Sequence, residues 1–127
     1  KYRLVGSEMC IRDRDQIEFF DDGDEPIPGV LALMTPGHTP GHMSFEIANG
    51  SQSALIVGDA LNNHHVAFKR PNWLSGLDQD PEMAALTRQK LLNRSSSEDI
   101  LLIGFHLPEG GIGRVFQSGK EYSFANI

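Results

Sequence analysis

Cysteine, basic side chains and long apolar runs are all scarce in this sequence of 127 residues. The only cysteine is Cys10, so residues 11–127 can form neither a disulfide nor a thiolate metal site. There are 11 Lys and Arg against 17 Asp and Glu, which gives a formal net charge of -6, and the basic residues form no stripe. We therefore expect no nucleic acid as a partner. No apolar run approaches the roughly 20 residues that cross a bilayer, so we expect no membrane partner either.

Three potential metal ligands each lie just beyond a short apolar run. They are His38, Asp59 and His106, and the runs that precede them are 30–34, 54–57 and 100–103. Buried strands often end in loops that carry functional side chains, so this spacing predicts three ligands at the ends of strands. Neutral imidazole and carboxylate oxygen are the ordinary non-thiolate ligands of zinc, and one carboxylate can bind two cations. Taken singly, each residue has a plain structural explanation in a turn, a cap or a hydrogen bond.

The stretch TPGHTPGH at 35–42, the pair Gly58-Asp59 and the triplet Gly104-Phe105-His106 occur in a characteristic order. In this order and at these separations, they resemble the C-terminal half of the metallo-β-lactamase-fold hydrolases. The resemblance runs from about Asp15 to Ile127. Two segments, 78–92 and 104–115, are most similar to the branch that contains methyl parathion hydrolase and the acyl-homoserine lactonases. The implied fold is α/β: one half of a four-layer αββα sandwich, rich in β-strands, with one main helix.

The resemblance also implies a role for each matching residue. His38 is expected to bind a first metal ion, His106 a second, and Asp59 both, with zinc the expected metal. His42 matches the second histidine of the motif, which does not bind metal in these relatives, and we expect it to orient the loop through its ring nitrogens. The implied activity is cleavage of an ester, lactone, phosphotriester or related bond in a small-molecule substrate by a hydroxide that bridges two ions.

The family's N-terminal His-x-His-x-Asp-His motif, which supplies most of the other ligands, does not occur in residues 1–127. The chain also has about half the length that the fold normally needs. We therefore expect residues 15–127 to be the C-terminal part of a domain whose N-terminal half is missing. Two alternatives stay open: an oxidoreductase of the persulfide dioxygenase type, with one iron on the same fold, and a truncated chain with no activity of its own.

Residues 1–14 raise a separate hypothesis. The decapeptide VGSEMCIRDR at 5–14 resembles no part of the family. It matches what one reading frame of a transposon-based sequencing adapter encodes, so we interpret residues 1–14 as adapter-derived read-through that does not belong to the domain. The alternative is a natural N-terminal segment, and an intact gene that encodes the decapeptide would establish it.

Local patterns predict several strands. A short strand is expected at 17–20, and a hairpin around the turn Asn49-Gly50, with Met43, Phe45 and Ile47 on its buried side. Further strands are expected at 100–105, 114–117 and 122–125.

One main helix is predicted from Asp80, as N-cap, to about Asn93, with Ser95 to Ser97 ending it. Its sheet-facing side chains are expected to be Met83, Leu86, Thr87 and Leu91, with Glu82, Arg88 and Gln89 pointing outward.

The segment 60–79 reads as a long irregular loop, and long loops are often functional. The resemblance implies that Phe68 and Trp73 in this loop line a substrate pocket. The alternative is that both side chains pack the loop onto the core. His64 and His65 are expected to be exposed and not to bind metal.

Overall fold

The computed structural model describes residues 18–127. The adapter hypothesis for residues 1–14 lies outside this range, as does the start of the strand predicted at 17–20, and residues 18–20 are not in a strand. The elements within it are β1 (Val30–Met34), β2 (Met43–Asn49), β3 (Gln52–Ile56), a 3-10 helix (Gly58–Leu61), α1 (His64–Lys69), α2 (Pro81–Ser97), β4 (Leu101–Ile103), β5 (Ile112–Ser118) and β6 (Glu121–Asn126). No helix among the described residues is long and apolar enough to cross a membrane.

The six strands form one sheet in the order β1 to β6. Neighbouring strands are antiparallel except β3 and β4, which run parallel. The connection between β3 and β4 contains both α-helices. Because β3 and β4 are parallel, their C-terminal ends lie at the same edge of the sheet, and the connection from β1 to β2 lies there too. This edge therefore collects the loops that carry the three candidate ligands.

Both helices pack on one face of the sheet, which we call the covered face. Strand and helix side chains form its buried core, namely Leu55, Leu61, Phe68, Leu91, Leu92, Leu102, Val115 and Tyr122. Burial of these apolar side chains is the main source of stability for the packed layers.

The opposite face, which we call the open face, is also largely apolar. The strand register places on it Val30, Ala32, Met34, Met43, Phe45, Ile47, Ala54, Ile56, Leu101, Ile103, Ile112 and Phe116. Met34 and Phe116 are 51% and 53% exposed. An apolar surface of this width is typical of a face that another layer covers.

The predicted hairpin is confirmed, since β2 and β3 pair across the turn at Asn49-Gly50. The prediction that Met43, Phe45 and Ile47 form the buried side of this hairpin is wrong. Phe45 and Ile47 lie on the open face and are partly exposed. Ser44, which precedes Phe45 in the strand, is fully buried on the covered face. A period-two pattern shows which side chains share a face, but not which face is covered.

Helix α2 begins as predicted, because the carboxylate of Asp80 accepts a hydrogen bond of 3.0 Å from the N–H of Met83 and Pro81 follows the cap. Its predicted end near Asn93 is wrong, since the helix continues to Ser97. The hydroxyls of the last two serines donate to backbone carbonyls three residues earlier, which allows serine to remain inside the helix.

The predicted orientation of α2 is only partly correct. Thr87 and Leu91 are buried, but Met83 and Leu86 are exposed, and Arg88, predicted to point outward, is 3% exposed. The helical periodicity gave the wrong orientation for Arg88 because its guanidinium donates to backbone carbonyls outside the helix. A charged group with such partners can be buried.

The segment 60–79 is more ordered than predicted. It contains α1, which is capped by Asn63, whose side chain accepts from the N–H of Val66 at 3.2 Å. His64 is partly buried and His65 is exposed. The strand predicted at 100–105 is limited to Leu101–Ile103, and the two predicted C-terminal strands are confirmed as β5 and β6.

Candidate metal centre

The three predicted ligands meet at the carboxylate of Asp59. His38 lies in the connection from β1 to β2, Asp59 in the 3-10 helix after β3, and His106 in the loop after β4. The Nε2 atom of His38 is 3.5 Å from Oδ2 of Asp59, and Nε2 of His106 is 3.0 Å from Oδ1 of Asp59. Each oxygen of Asp59 therefore faces a different imidazole nitrogen.

These distances can be compared with the geometry that zinc requires. A tetrahedral ion with bonds of 2.0 to 2.2 Å separates neighbouring ligand atoms by about 3.3 to 3.6 Å. The 3.5 Å between His38 and Asp59 fits this spacing, while the 3.0 Å between His106 and Asp59 is a hydrogen-bond distance that would open slightly around an ion. Within residues 18–127 no three His, Cys, Asp or Glu side chains are arranged to hold one ion. The donor set fits a metal on each side of Asp59, with further ligands required for both.

A buried carboxylate that the sequence analysis missed contacts His38. Asp78 accepts from Nδ1 of His38 at 3.0 Å, and its side chain is 2% exposed. Its oxygens are also near Nδ2 of Asn62, at 3.3 Å, and Nη2 of Arg88, at 3.5 Å. With Nδ1 occupied, Nε2 of His38 faces Asp59. Asp78 carries no local signal of this role: Pro81 marks Asp80 as a helix cap, whereas Asp78 is one more polar residue in the stretch before α2.

His42 connects the motif loop to the turn that carries Asp59. Its Nε2 accepts a hydrogen bond of 3.1 Å from the backbone N–H of Asp59, and its Nδ1 is 2.8 Å from Oγ1 of Thr35. Burial lowers the pKa of His42, although a hydrogen bond with Thr35 and the charge of Asp59 act in the opposite direction. In a neutral ring whose Nε2 accepts, Nδ1 carries the proton and donates to Thr35. The hydroxyl of Thr35 can then donate to Oγ of the buried Ser44, 2.9 Å away.

This chain of hydrogen bonds gives a stability prediction. Thr35→Val in the intact protein is expected to lower the free energy of unfolding by about 1 to 3 kcal/mol, because the part-buried Nδ1 of His42 and the buried hydroxyl of Ser44 lose their partner. Urea denaturation measures the change. Thr39→Val makes the same replacement in the second Thr-Pro-Gly-His unit, outside this hydrogen-bonded chain, and serves as the control. Equal effects of the two substitutions would contradict the role assigned to Thr35.

The sequence of residues 4–106 matches the family model described as the metallo-beta-lactamase superfamily. The chain belongs to the metallo-β-lactamase superfamily. The family and the fold class predicted from the sequence are therefore confirmed, with a six-stranded sheet and one main helix as the observed elements.

Curated relatives of the chain include lactonases. The chain is 24% identical to an N-acyl homoserine lactonase of Bacillus thuringiensis over 107 residues, which is 84% of this chain and 42% of the relative. It is 26% identical to an N-acyl homoserine lactonase of Bacillus cereus over 90 residues, or 71% of this chain and 36% of the relative. The chain thus spans about two fifths of the length of these relatives.

Solved structures of the superfamily share its fold. The hydrolase AbOPH superposes with a TM-score of 0.83 at 30% identity, over 93% of this chain and 41% of that chain. AidC, a dizinc quorum-quenching lactonase in complex with its product, superposes with a TM-score of 0.84 over 94% of this chain and 41% of that chain. Its identity to this chain is 22%, so this second likeness concerns the fold alone.

The two aromatic residues predicted to line a pocket of this metallo-β-lactamase-fold chain lie at different cavities. Phe68 is buried against Phe124, with ring centroids 5.8 Å apart, beside a cavity of about 220 Å³. Trp73 is 56% exposed and borders a cavity of about 200 Å³ together with Asn62 and Arg88. The structure does not bring the two rings together, and their contact with substrate stays a prediction.

Proposed function

We propose that the protein containing this chain is a hydrolase that holds two divalent ions, zinc by preference, on either side of Asp59. The observation that carries the proposal is the position of Asp59, whose two oxygens face the Nε2 atoms of His38 and His106 at 3.5 and 3.0 Å. Imidazole and carboxylate are zinc ligands, and a shared carboxylate offsets the repulsion between two cations. The curated lactonase relatives support the same class of chemistry.

In this proposal the residues of the chain hold the metal ions and orient the ligands, and none of them acts as a nucleophile. His38 and Oδ2 of Asp59 would bind one ion, and His106 and Oδ1 of Asp59 the other. Two divalent ions, when bound, make hydroxide available at neutral pH and polarise the carbonyl or phosphoryl oxygen of a substrate. His42 fixes the backbone of Asp59, so that the carboxylate stays between the two imidazoles.

The proposed substrate is a small molecule with a hydrolysable ester-type bond, and a lactone is the first class to test because the two curated relatives described above are lactonases. Thioesters and phosphotriesters complete the panel, since one fold can serve several such bonds through changes in its pocket loops. The discriminating measurement is kcat/KM for the intact protein on one member of each class.

We also propose that an N-terminal half, absent from these 127 residues, supplies the remaining ligands and the layer on the open face. Zinc takes three or four protein ligands, whereas this chain offers each ion one imidazole and one oxygen. The apolar open face supports the same proposal, because an αββα sandwich covers such a face with a second sheet.

The 127-residue chain alone is expected to bind zinc weakly, to aggregate through its open face and to hydrolyse no member of the panel. The intact protein is expected to bind two zinc ions per chain and to turn over at least one substrate. Metal analysis, light scattering and hydrolysis assays on both proteins test this. Tight stoichiometric zinc binding with turnover by the 127-residue chain would overturn the proposal of a missing half, and one iron per intact chain would overturn the dizinc hydrolase.

A further inference from the structure

The carboxylate of Asp78 is directed at His38 more closely than at its other partners. It lies 3.0 Å from Nδ1 of His38, against 3.3 Å from Asn62 and 3.5 Å from Arg88. Arg88 makes its shorter hydrogen bonds elsewhere, because its Nη1 donates to the carbonyls of Pro71 and Trp73 at 3.2 and 3.0 Å. The role of Asp78 is therefore not limited to a buried ion pair with Arg88, because its shortest contact is with His38.

The backbone next to Asp78 is joined to the same loop. The N–H of Gln79 donates to the carbonyl of His38 at 3.2 Å, and the N–H of Asp80 donates to the carbonyl of Gly37 at 2.9 Å. Both the side chain and the main chain of the segment before α2 thus hold His38. Such double anchoring fixes the position of the ring as well as its rotation.

We propose that Asp78 is a positioning residue that keeps the proton of His38 on Nδ1, so that Nε2 presents its lone pair toward Asp59, and that Arg88 and Asn62 hold Asp78 in place. A neutral imidazole has one protonated and one free nitrogen, and only the free nitrogen binds a metal ion. The inference rests on the proposed function, in which Nε2 of His38 is a metal ligand.

Asp78→Asn is expected to reverse the arrangement of the proton. One oxygen of Asp78 faces His38 and Asn62, and the other faces Arg88. In asparagine one of these oxygens becomes an NH2 group. Two donors beside a positive charge are unfavourable, so the NH2 group should avoid Arg88 and face His38, while the neutral amide of Asn62 can turn its own oxygen toward it. It would then donate to Nδ1, and the proton of His38 would move to Nε2, where it blocks metal binding.

The experiment uses the intact protein, labelled with ¹⁵N at histidine, freed of zinc by a chelator and held at an alkaline pH at which the ¹⁵N shifts show a ring with a single proton. The ¹⁵N shifts of Nδ1 and Nε2, assigned with His38→Gln, report the tautomer directly. We expect Nδ1–H in the wild type and in Asp78→Glu, and Nε2–H in Asp78→Asn. Asp99→Asn is the matched control, since Asp99 also pairs with an arginine, Arg114 at 2.7 Å, but does not contact His38.

Zinc affinity is measured on the same proteins by competition with a chelating dye. Asp78→Asn is expected to bind zinc about 10- to 100-fold more weakly than the wild type and than Asp99→Asn. Nε2–H in the wild type, or Nδ1–H in Asp78→Asn, would overturn the inference, and the wild-type spectrum decides this even where the variant fails to fold. A moved proton with unchanged zinc affinity would instead overturn His38 as a ligand in the proposed function.

Discussion

Asp59→Asn in the intact protein is expected to abolish hydrolysis and to remove at least one of the two zinc ions per chain. The amide has one oxygen where the carboxylate has two, so it can face only one of His38 and His106 with a ligand atom. It also loses the negative charge that offsets two neighbouring cations. The loss of activity should exceed the roughly 10²- to 10³-fold that follows removal of a single electrostatic donor from an active site. Metal analysis and the hydrolysis rate measure both effects.

The same substitution should leave the fold intact. The side chain of Asp59 is 49% exposed. Its backbone N–H, which donates a hydrogen bond to His42, is retained in asparagine. Asp99→Asn provides the control for loss of an acidic side chain at a surface turn. A variant Asp59→Asn that keeps two zinc ions and wild-type turnover would rule out the shared carboxylate and, with it, the proposed dizinc centre.

The convergence of His38, Asp59 and His106 could be predicted because the signals are local. Each residue follows an apolar run that forms a strand or its continuation, and the pairing of parallel β3 with β4 brings two strand ends to one edge. The family resemblance then assigned the three residues to a single metal centre. Such features depend on spacing along the chain, and spacing is what a sequence displays.

The environment of His38 could not be predicted in the same way. Asp78 and Arg88 are 40 and 50 positions beyond it in the sequence, and both are residue types that are usually exposed. Their burial depends on mutual pairing and on the backbone carbonyls of Pro71 and Trp73, which only the tertiary fold brings together. The assignment of hydrophobic strand residues failed for a related reason, because Phe45 and Ile47 lie on a face that residues 18–127 leave largely uncovered.

The two glycines of the repeated Thr-Pro-Gly-His unit allow a second large effect to be tested. Gly37→Ala is expected to lower the free energy of unfolding by about 3 to 5 kcal/mol, the sum of steric overlap and backbone strain. Gly37 has a φ of +133°, which L-amino acids rarely adopt, and an added Cβ would lie 2.3 Å from both Cα and N of Ala84 in α2. Because these atoms belong to the helix backbone, no rotamer change can relieve the overlap.

Gly41→Ala is the matched control, since nothing lies within 4 Å of the Cβ that it would add and its φ is outside the strained range. Its effect should stay within about 0.5 kcal/mol, as for most surface substitutions. Chemical denaturation of both variants in the intact protein gives the comparison, and equal losses of stability would disprove the close packing of Gly37 on α2. Adding Ala84→Gly to Gly37→Ala should not restore the lost stability, because removing the Cβ of Ala84 leaves its Cα and N in place. The loop that carries His38 is thus held against the backbone of α2, which explains why a glycine with no catalytic chemistry precedes a candidate ligand.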